Sequence, residues 1–323
     1  MYEHQIIDGL NIIIKKFNLK KKTTKDKEFF KTDEYLRFEK LINISKELIK
    51  KIKQSQKFHI NFQLDSILPD GEKTFLEGPS STVRLPYNSC FFDWNINTTN
   101  ELKFKFKYTN ADSRRAMLCE EVCPDIIACY LFHFINEYNE WILCPTIDLI
   151  YINDTFNNIK SNKLNKIKKY FGKYDFNINF DLQRHNILSI SIVKMTREEI
   201  IEMGKSTSDC LTILSEVLVL LTCKNIGLEK VEPDQKLNKK RLRNKKQPIM
   251  TYKTLVIKPI NKKQRSIPLN LWNNRIHLAR GHFKTYTEDA PLFGKVIGRF
   301  WWQPQARGKN KKGMVVKDYI VEK

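Results

Sequence analysis

Apolar positions recur at helical spacing through most of the first 56 residues and predict two helices there. In the second, Tyr35, Phe38, Leu41, Ile42, Leu48, Ile49 and Ile52 form one stripe with lysines opposite, and Thr32-Asp33-Glu34 supplies a plausible start. Between Phe58 and Tyr108 the pattern changes to short β-like runs. Pro69-Asp70-Gly71, Gly78-Pro79 and Pro86 punctuate them, and a sheet is expected. Cys90 to Ile96 and Leu102 to Tyr108 fit strands, the latter alternating with one lysine face. Tyr130 to Phe134 and Trp141 to Ile152 continue the β-like texture, 153–172 reads as a polar loop with a helix, and 176–193 alternates again. Thr196 and Glu199 carry capping-box chemistry at the head of a helix, because each side chain satisfies an exposed backbone donor of the other. The almost wholly apolar 209–223 stretch is too short to cross a membrane and reads as a buried helix that Gly227 and Pro233 bring to an end.

These elements imply an α+β fold in four parts. N-terminal helices occupy 1–57, and an α+β body with a candidate peptide-binding region occupies 58–232. A basic linker follows at 233–250, and 251–323 forms a small basic, aromatic, β-rich module. Gly281, Gly294, Gly298, Gly308 and Gly313 mark its turns.

Charge alters this picture because it is unevenly spread. The formal net charge is +21, from 57 Lys and Arg against 36 Asp and Glu. Residues 224–323 hold 25 of the basic and 7 of the acidic residues, which leaves 32 against 29 for the first 223. A nearly neutral body therefore carries a cationic end, and such a field attracts polyanions. The 236–246 run places seven positive charges in eleven residues. No span or secretory signal is apparent, and an odd seven cysteines fit a reducing compartment, so a cytoplasmic protein without membrane contact is expected.

Candidate chemistry is sparse. Cys119, Cys123, Cys129 and His133 offer zinc-type ligands in a spacing unlike that of paired zinc motifs, and neither metal nor cofactor is expected. Phosphate-cradling, nucleophile-elbow and metalloprotease motifs are absent. His277 and His282 flank Arg280-Gly281, and two imidazoles beside an arginine could cleave RNA without metal, so a ribonuclease is the enzymatic alternative. The commoner reading of the end region is a binding surface. Phe283, Tyr286, Phe293, Phe300, Trp301 and Trp302 alternate with cations, and aromatic faces stack on bases while cations neutralise phosphates. In so small a module half or more of these rings should pack, leaving polyanion contact chiefly to charge. The expected nucleic-acid contacts are Lys239, Lys240, Arg241, Arg243, Lys245 and Lys246 in the basic run, and Arg275, Arg280, His282, Lys284, Arg299, Arg307, Lys309, Lys311 and Lys312 beyond it.

The string His277-Leu278-Ala279-Arg280-Gly281-His282-Phe283, followed by FWWQPQARG and a terminal YIVEK, resembles the C-terminal module of a phage and plasmid family whose named members are anti-CRISPR proteins of type V-A systems. RLPYNSCFFDWNI and LTILSEVLVLLTCKN match upstream in the same order, so the resemblance covers about 85–323. The chain departs from the family pattern at Ala279, where arginine is common, and in its nearly neutral body. The resemblance implies an adaptor of the bacterial host cytoplasm that recognises the nascent N-terminal peptide of a CRISPR effector nuclease and promotes loss of its messenger RNA. One surface would hold peptide, and the basic end would meet RNA or ribosome.

Overall fold

The computed structural model describes residues 1–23, 32–60, 84–95, 111–123, 126–135, 139–151, parts of 165–171, 187–191, 196–258, 275–279, 281–302, 305–307 and 309–314. The predicted strand over 102–108 and the turns at 69–71 and 78–79 lie outside these residues, as do Arg280 and most of 153–186.

Four helices appear among the described residues: α1 (Glu3–Thr23), α2 (Asp33–Gln54), α3 (Arg197–Leu221) and α4 (Gln235–Arg243). The strands are β1 (Gln56–Ile60), β2 (Ser89–Asn95), β3 (Ala111–Cys123), β4 (Ile126–Ile135), β5 (Glu140–Tyr151), β6 (Ile187–Ser191), β7 (Ile226–Val231) and β8 (Tyr252–Ile257). Beyond them come β9 (Arg275–Ala279), β10 (His282–Tyr286), β11 (Gly298–Trp302), β12 (Gln305–Arg307) and β13 (Lys309–Met314). The first eight form one mixed sheet in the order β6-β5-β4-β3-β2-β1-β8-β7, so the fold is α+β as expected. Pairing is antiparallel except at β1, which runs parallel to both β2 and β8.

Helix α2 begins where its capping residues predict, with Tyr35 N–H donating to Thr32 Oγ1 at 3.2 Å. Leu48 and Ile52 of its stripe, together with Ile44 outside it, join Ile6, Ile7 and Leu10 of α1 against one face of the sheet. The opposite face receives α3, whose Cys210, Leu211, Leu214, Val217 and Leu218 pack on Phe92, Trp94, Met117 and Cys129. Strand β4 lies between these layers, and all ten of its residues are buried. Alternation divides them: Ile126, Ala128, Tyr130 and Phe132 face α1 and α2, while Ile127, Cys129 and Leu131 face α3. A strand covered on both faces is apolar along its whole length, and the β-like texture expected at Tyr130 to Phe134 is the second half of it.

Strand β3 is less legible, because Arg114, Arg115, Glu120 and Glu121 interrupt its pattern. A tertiary partner covers Glu120. Lys51 Nζ, from α2, meets Glu120 Oε2 at 2.5 Å and Tyr170 Oη at 2.9 Å, and its ammonium also lies 5.3 Å from the Tyr130 ring centroid. Burial disfavours the Lys51 charge, but the hydrogen bonds with Glu120 and Tyr170 outweigh it and raise the lysine pKa. Asp93, fully buried on β2, accepts from Tyr2 N–H at the head of α1 and stands 2.6 Å from His59 Nδ1 on β1.

The expected four-part division is redrawn beyond residue 224. The 233–250 stretch, read as a linker, contains α4 and, over 246–250, a strap docked on α1. Strand β8, assigned by sequence to the end module, lies inside the main sheet between β1 and β7. Local pattern could not show this, because Phe58 pairs with Lys253 across most of the chain. Trp301 in turn reaches the core beneath α3.

Candidate nucleic-acid interface

Helix α4 opens on Asp234, whose Oδ1 accepts the Lys236 N–H at 2.7 Å. Lys240, Arg241 and Arg243 fill its last turn, where cations complement the exposed carbonyls. It closes with Lys245 N–H donating to Leu242 O at 3.0 Å and Lys246 N–H to Arg241 O at 2.9 Å. These two bonds form a Schellman motif, and they place Lys245 at φ 55°, a left-handed conformation that glycine usually supplies.

A helix of nine residues is marginal alone, and α4 buries none of them. Polar bonds hold it instead. Asn238 Nδ2 donates to Ile249 O at 2.9 Å, and Ile249 N–H returns a bond to Asn238 Oδ1 at 2.8 Å. Arg241 Nε donates to Gln247 O at 2.7 Å, and its Nη2 reaches Asp8 Oδ2 of α1 at 3.2 Å. The other Asp8 oxygen accepts Gln247 N–H at 3.0 Å, while Glu3 Oε1 accepts Met250 N–H at 2.9 Å. Burial pushes the Glu3 carboxyl up, yet the nearby His4 imidazole, 3.8 Å away, and the Met250 N–H outweigh it and hold the group below the usual carboxylate range.

With Asn238 and Arg241 turned to the body, about 3.6 residues per turn place Lys236, Lys239, Lys240 and Arg243 together on the opposite face. Their spacing is i, i+3, i+4 and i+7, and all four side chains are exposed. Lys245 and Lys246 extend the cationic surface past the helix end. None of these six makes an ion pair among the described residues. Arg241, predicted with them as a nucleic-acid contact, is instead engaged with Asp8 and the strap. The charge pattern therefore shows the cations and hides their anchor. Asp8, Glu3 and Asn238 carry no local signal, because their partners lie on other elements.

The residues beyond β8 fall into two smaller sheets. In the β10–β11 hairpin, His282 pairs with Trp302, Phe283 with Trp301, Lys284 with Phe300, and Thr285 with Arg299. Trp301 and Phe300 are buried, with Phe283 packed on Trp301 at 4.7 Å and Tyr286 edge-on to Phe300 at 5.7 Å. Much of the expected stacking surface is thus core. His282 and Lys284 are exposed, and Lys284 Nζ lies 4.9 Å from the Tyr286 ring centroid. Arg299 is half-buried beside the end of α3. There burial raises the Cys223 thiol pKa to about 11, and the guanidinium only partly opposes that shift.

Strand β9 belongs to a separate sheet, antiparallel to β12 and parallel to β13. Register sets His277 opposite Arg307 and Arg275 opposite Lys309, while Lys311 and Lys312 continue along β13. His277 and His282 thus lie on strands of different sheets, and nothing described brings them together around a common point. Among the described residues no group of three or more His, Cys, Asp or Glu could hold a metal ion. Cys119 and Cys129 face each other across β3 and β4 with their sulfurs 3.9 Å apart, deep in the core, where burial drives the Cys119 thiol pKa well up. No described helix is long and apolar enough to cross a membrane.

No family model, curated protein or solved structure matches the chain.

Proposed function

We propose that this protein is a non-enzymatic adaptor whose cationic face, centred on α4, binds the phosphate backbone of RNA, either free or in a ribosome. The observation that carries this reading is the stripe of Lys236, Lys239, Lys240 and Arg243, exposed without ion-pair partners on a helix that Asn238 and Arg241 hold to the body. Neighbours at this spacing stand about 5–6 Å apart on a helix surface, and a held row of charges neutralises successive phosphates without reordering itself. The surplus of positive charge after residue 224 steers the same partner toward this end.

The resemblance of 85–323 to the type V-A anti-CRISPR family supplies the rest of the proposal. In that reading the α+β body recognises the nascent N-terminal peptide of a CRISPR effector nuclease in the cytoplasm of a bacterial host, and RNA or ribosome contact at α4 leads to loss of its messenger. No cofactor takes part.

Replacing Lys236, Lys239, Lys240 and Arg243 with glutamine tests the RNA contact. Each cation lost from a phosphate contact should flatten the plot of log affinity against log salt by about 0.7–0.9, or roughly 3 in total. An unchanged slope with RNA or purified ribosomes would refute the reading.

A further inference from the structure

We propose that Phe293 is a base-stacking residue, holding its ring out to an unpaired nucleobase of a bound RNA. The inference rests on the RNA-binding reading and adds a second, chemically different element to it. Of the six aromatic residues in the β10–β11 region, Phe300 and Trp301 are buried and Phe283, Tyr286 and Trp302 are half-buried, whereas Phe293 is 60% exposed.

The backbone makes this exposure more than an accident of a surface loop. Phe293 sits at φ 54°, a left-handed conformation that is unfavourable for a side chain of this size and that glycine or asparagine would adopt more easily. Four hydrogen bonds impose it. Leu292 and Val296 exchange backbone bonds of 2.8 and 3.0 Å, Gly294 N–H donates to Pro291 O at 3.1 Å, and Lys295 N–H donates to Leu292 O at 3.2 Å. Leu292, buried beneath, anchors the turn. One residue therefore combines backbone strain with an apolar ring left in water. Strain of this kind persists where the surrounding structure enforces it, and it concentrates at ligand contacts.

The chemistry around the tip favours a nucleobase over an apolar protein pocket. Next to the ring, Gly294 is open on its side-chain side, with no atom within 4 Å of the position a Cβ would take. A flat partner can approach there. Lys295 follows at the same tip, Lys284 and Arg299 stand on the hairpin strands, and the Lys224 side chain lies against Gly298. Glu288 and Asp289 oppose these four cations in part, leaving a positive surplus to meet the phosphates on either side of a stacked base. Val296 and Ile297, 39% and 41% exposed, extend the apolar tip.

The test uses the full chain with a fluorescein-labelled oligoadenylate and a blunt-ended RNA duplex. Phe293→Ala should weaken oligoadenylate binding by about tenfold and leave both duplex binding and the salt slope unchanged, because stacking is not an ionic term. Phe293→Trp should retain affinity, and Phe293→Leu should not. Phe293→Gly should bind weakly while melting at a higher temperature than wild type, since it relieves the left-handed strain; a structural phenylalanine would show the opposite. Equal binding by wild type and Phe293→Ala overturns the inference, while the α4 reading stands. A parallel loss for both RNAs, or wild-type affinity in Phe293→Leu, also overturns it. Absence of wild-type binding to either RNA overturns both readings together.

Discussion

The side chain of Asn225 acts as a strand edge for Trp301: its Nδ2 donates to Trp301 O at 2.7 Å, and Trp301 N–H donates to its Oδ1 at 2.9 Å. Both residues are buried, and Lys224 N–H adds a bond to Arg299 O at 2.9 Å. Three bonds thus join the residues after α3 to β11, and the Trp301 ring enters the core that α3 covers.

Asn225→Ala should therefore destabilise the protein by roughly 2–4 kcal/mol, because the Trp301 N–H and carbonyl would stay buried without partners. Thermal unfolding gives the magnitude, and tryptophan emission reports whether the hairpin loosens. Unchanged melting and emission would show that β11 holds its place without Asn225.

Asp8 joins α1 to both α4 and the strap, through Arg241 and the Gln247 N–H. Its pair with Arg241 is partly exposed, so Asp8→Ala should cost only ~1 kcal/mol overall. Backbone amides over 236–250 should nevertheless exchange with deuterium markedly faster, since α4 has no buried side chain to hold it. Asp8→Asn should fall between, keeping an acceptor for Gln247 and losing the charge. Wild-type exchange in Asp8→Ala would place the anchor of α4 on the Asn238–Ile249, Arg241–Gln247 and Glu3–Met250 bonds instead.

Burial, assisted by the positive charge of Arg115, lowers the His133 pKa from the ordinary 6.5 to about 3. The folded state keeps this imidazole neutral, whereas the unfolded chain takes up a proton near 6.5. Between these values the unfolded state binds more protons, so the His133 contribution is complete above pH 6.5 and is lost as pH falls toward 3. The loss across that window is roughly 4–5 kcal/mol. His133→Gln should flatten the fall of melting temperature between neutral and acid pH. A slope identical to wild type would mean that other groups control acid stability.

Lys245 occupies the left-handed position that closes α4, at φ 55°. Lys245→Gly should stabilise the protein by about 1 kcal/mol, read as a higher melting temperature, and Lys245→Val should lower it. A lower melting temperature in Lys245→Gly would mean that contacts of the lysine side chain outweigh the backbone strain.

Those parts of the fold whose causes are local were legible in the chain. The α2 stripe, the Thr32 cap, the apolar body of α3 and the Tyr130–Phe134 half of β4 each depend on neighbours within a few turns or on burial of a whole segment. Strand β3 escaped because its charges read as surface, while Lys51 and Tyr170 receive Glu120 from elsewhere in the chain. The basic run showed as charge with no direction. Its division into four outward cations and an inward Arg241 depends on Asp8, on another helix.

By itself the sequence determined the helical periodicities, the capping chemistry and the concentration of positive charge beyond residue 224, because these are properties of neighbouring residues or of composition. Tertiary structure alone decided that β8 enters the main sheet beside β1, that Trp301 is core, and that Phe293 is held outward in a left-handed turn. Each of these depends on which distant backbone edges, apolar faces and polar side chains meet. A local pattern of residue types states how well a segment suits such a meeting and leaves its partner open.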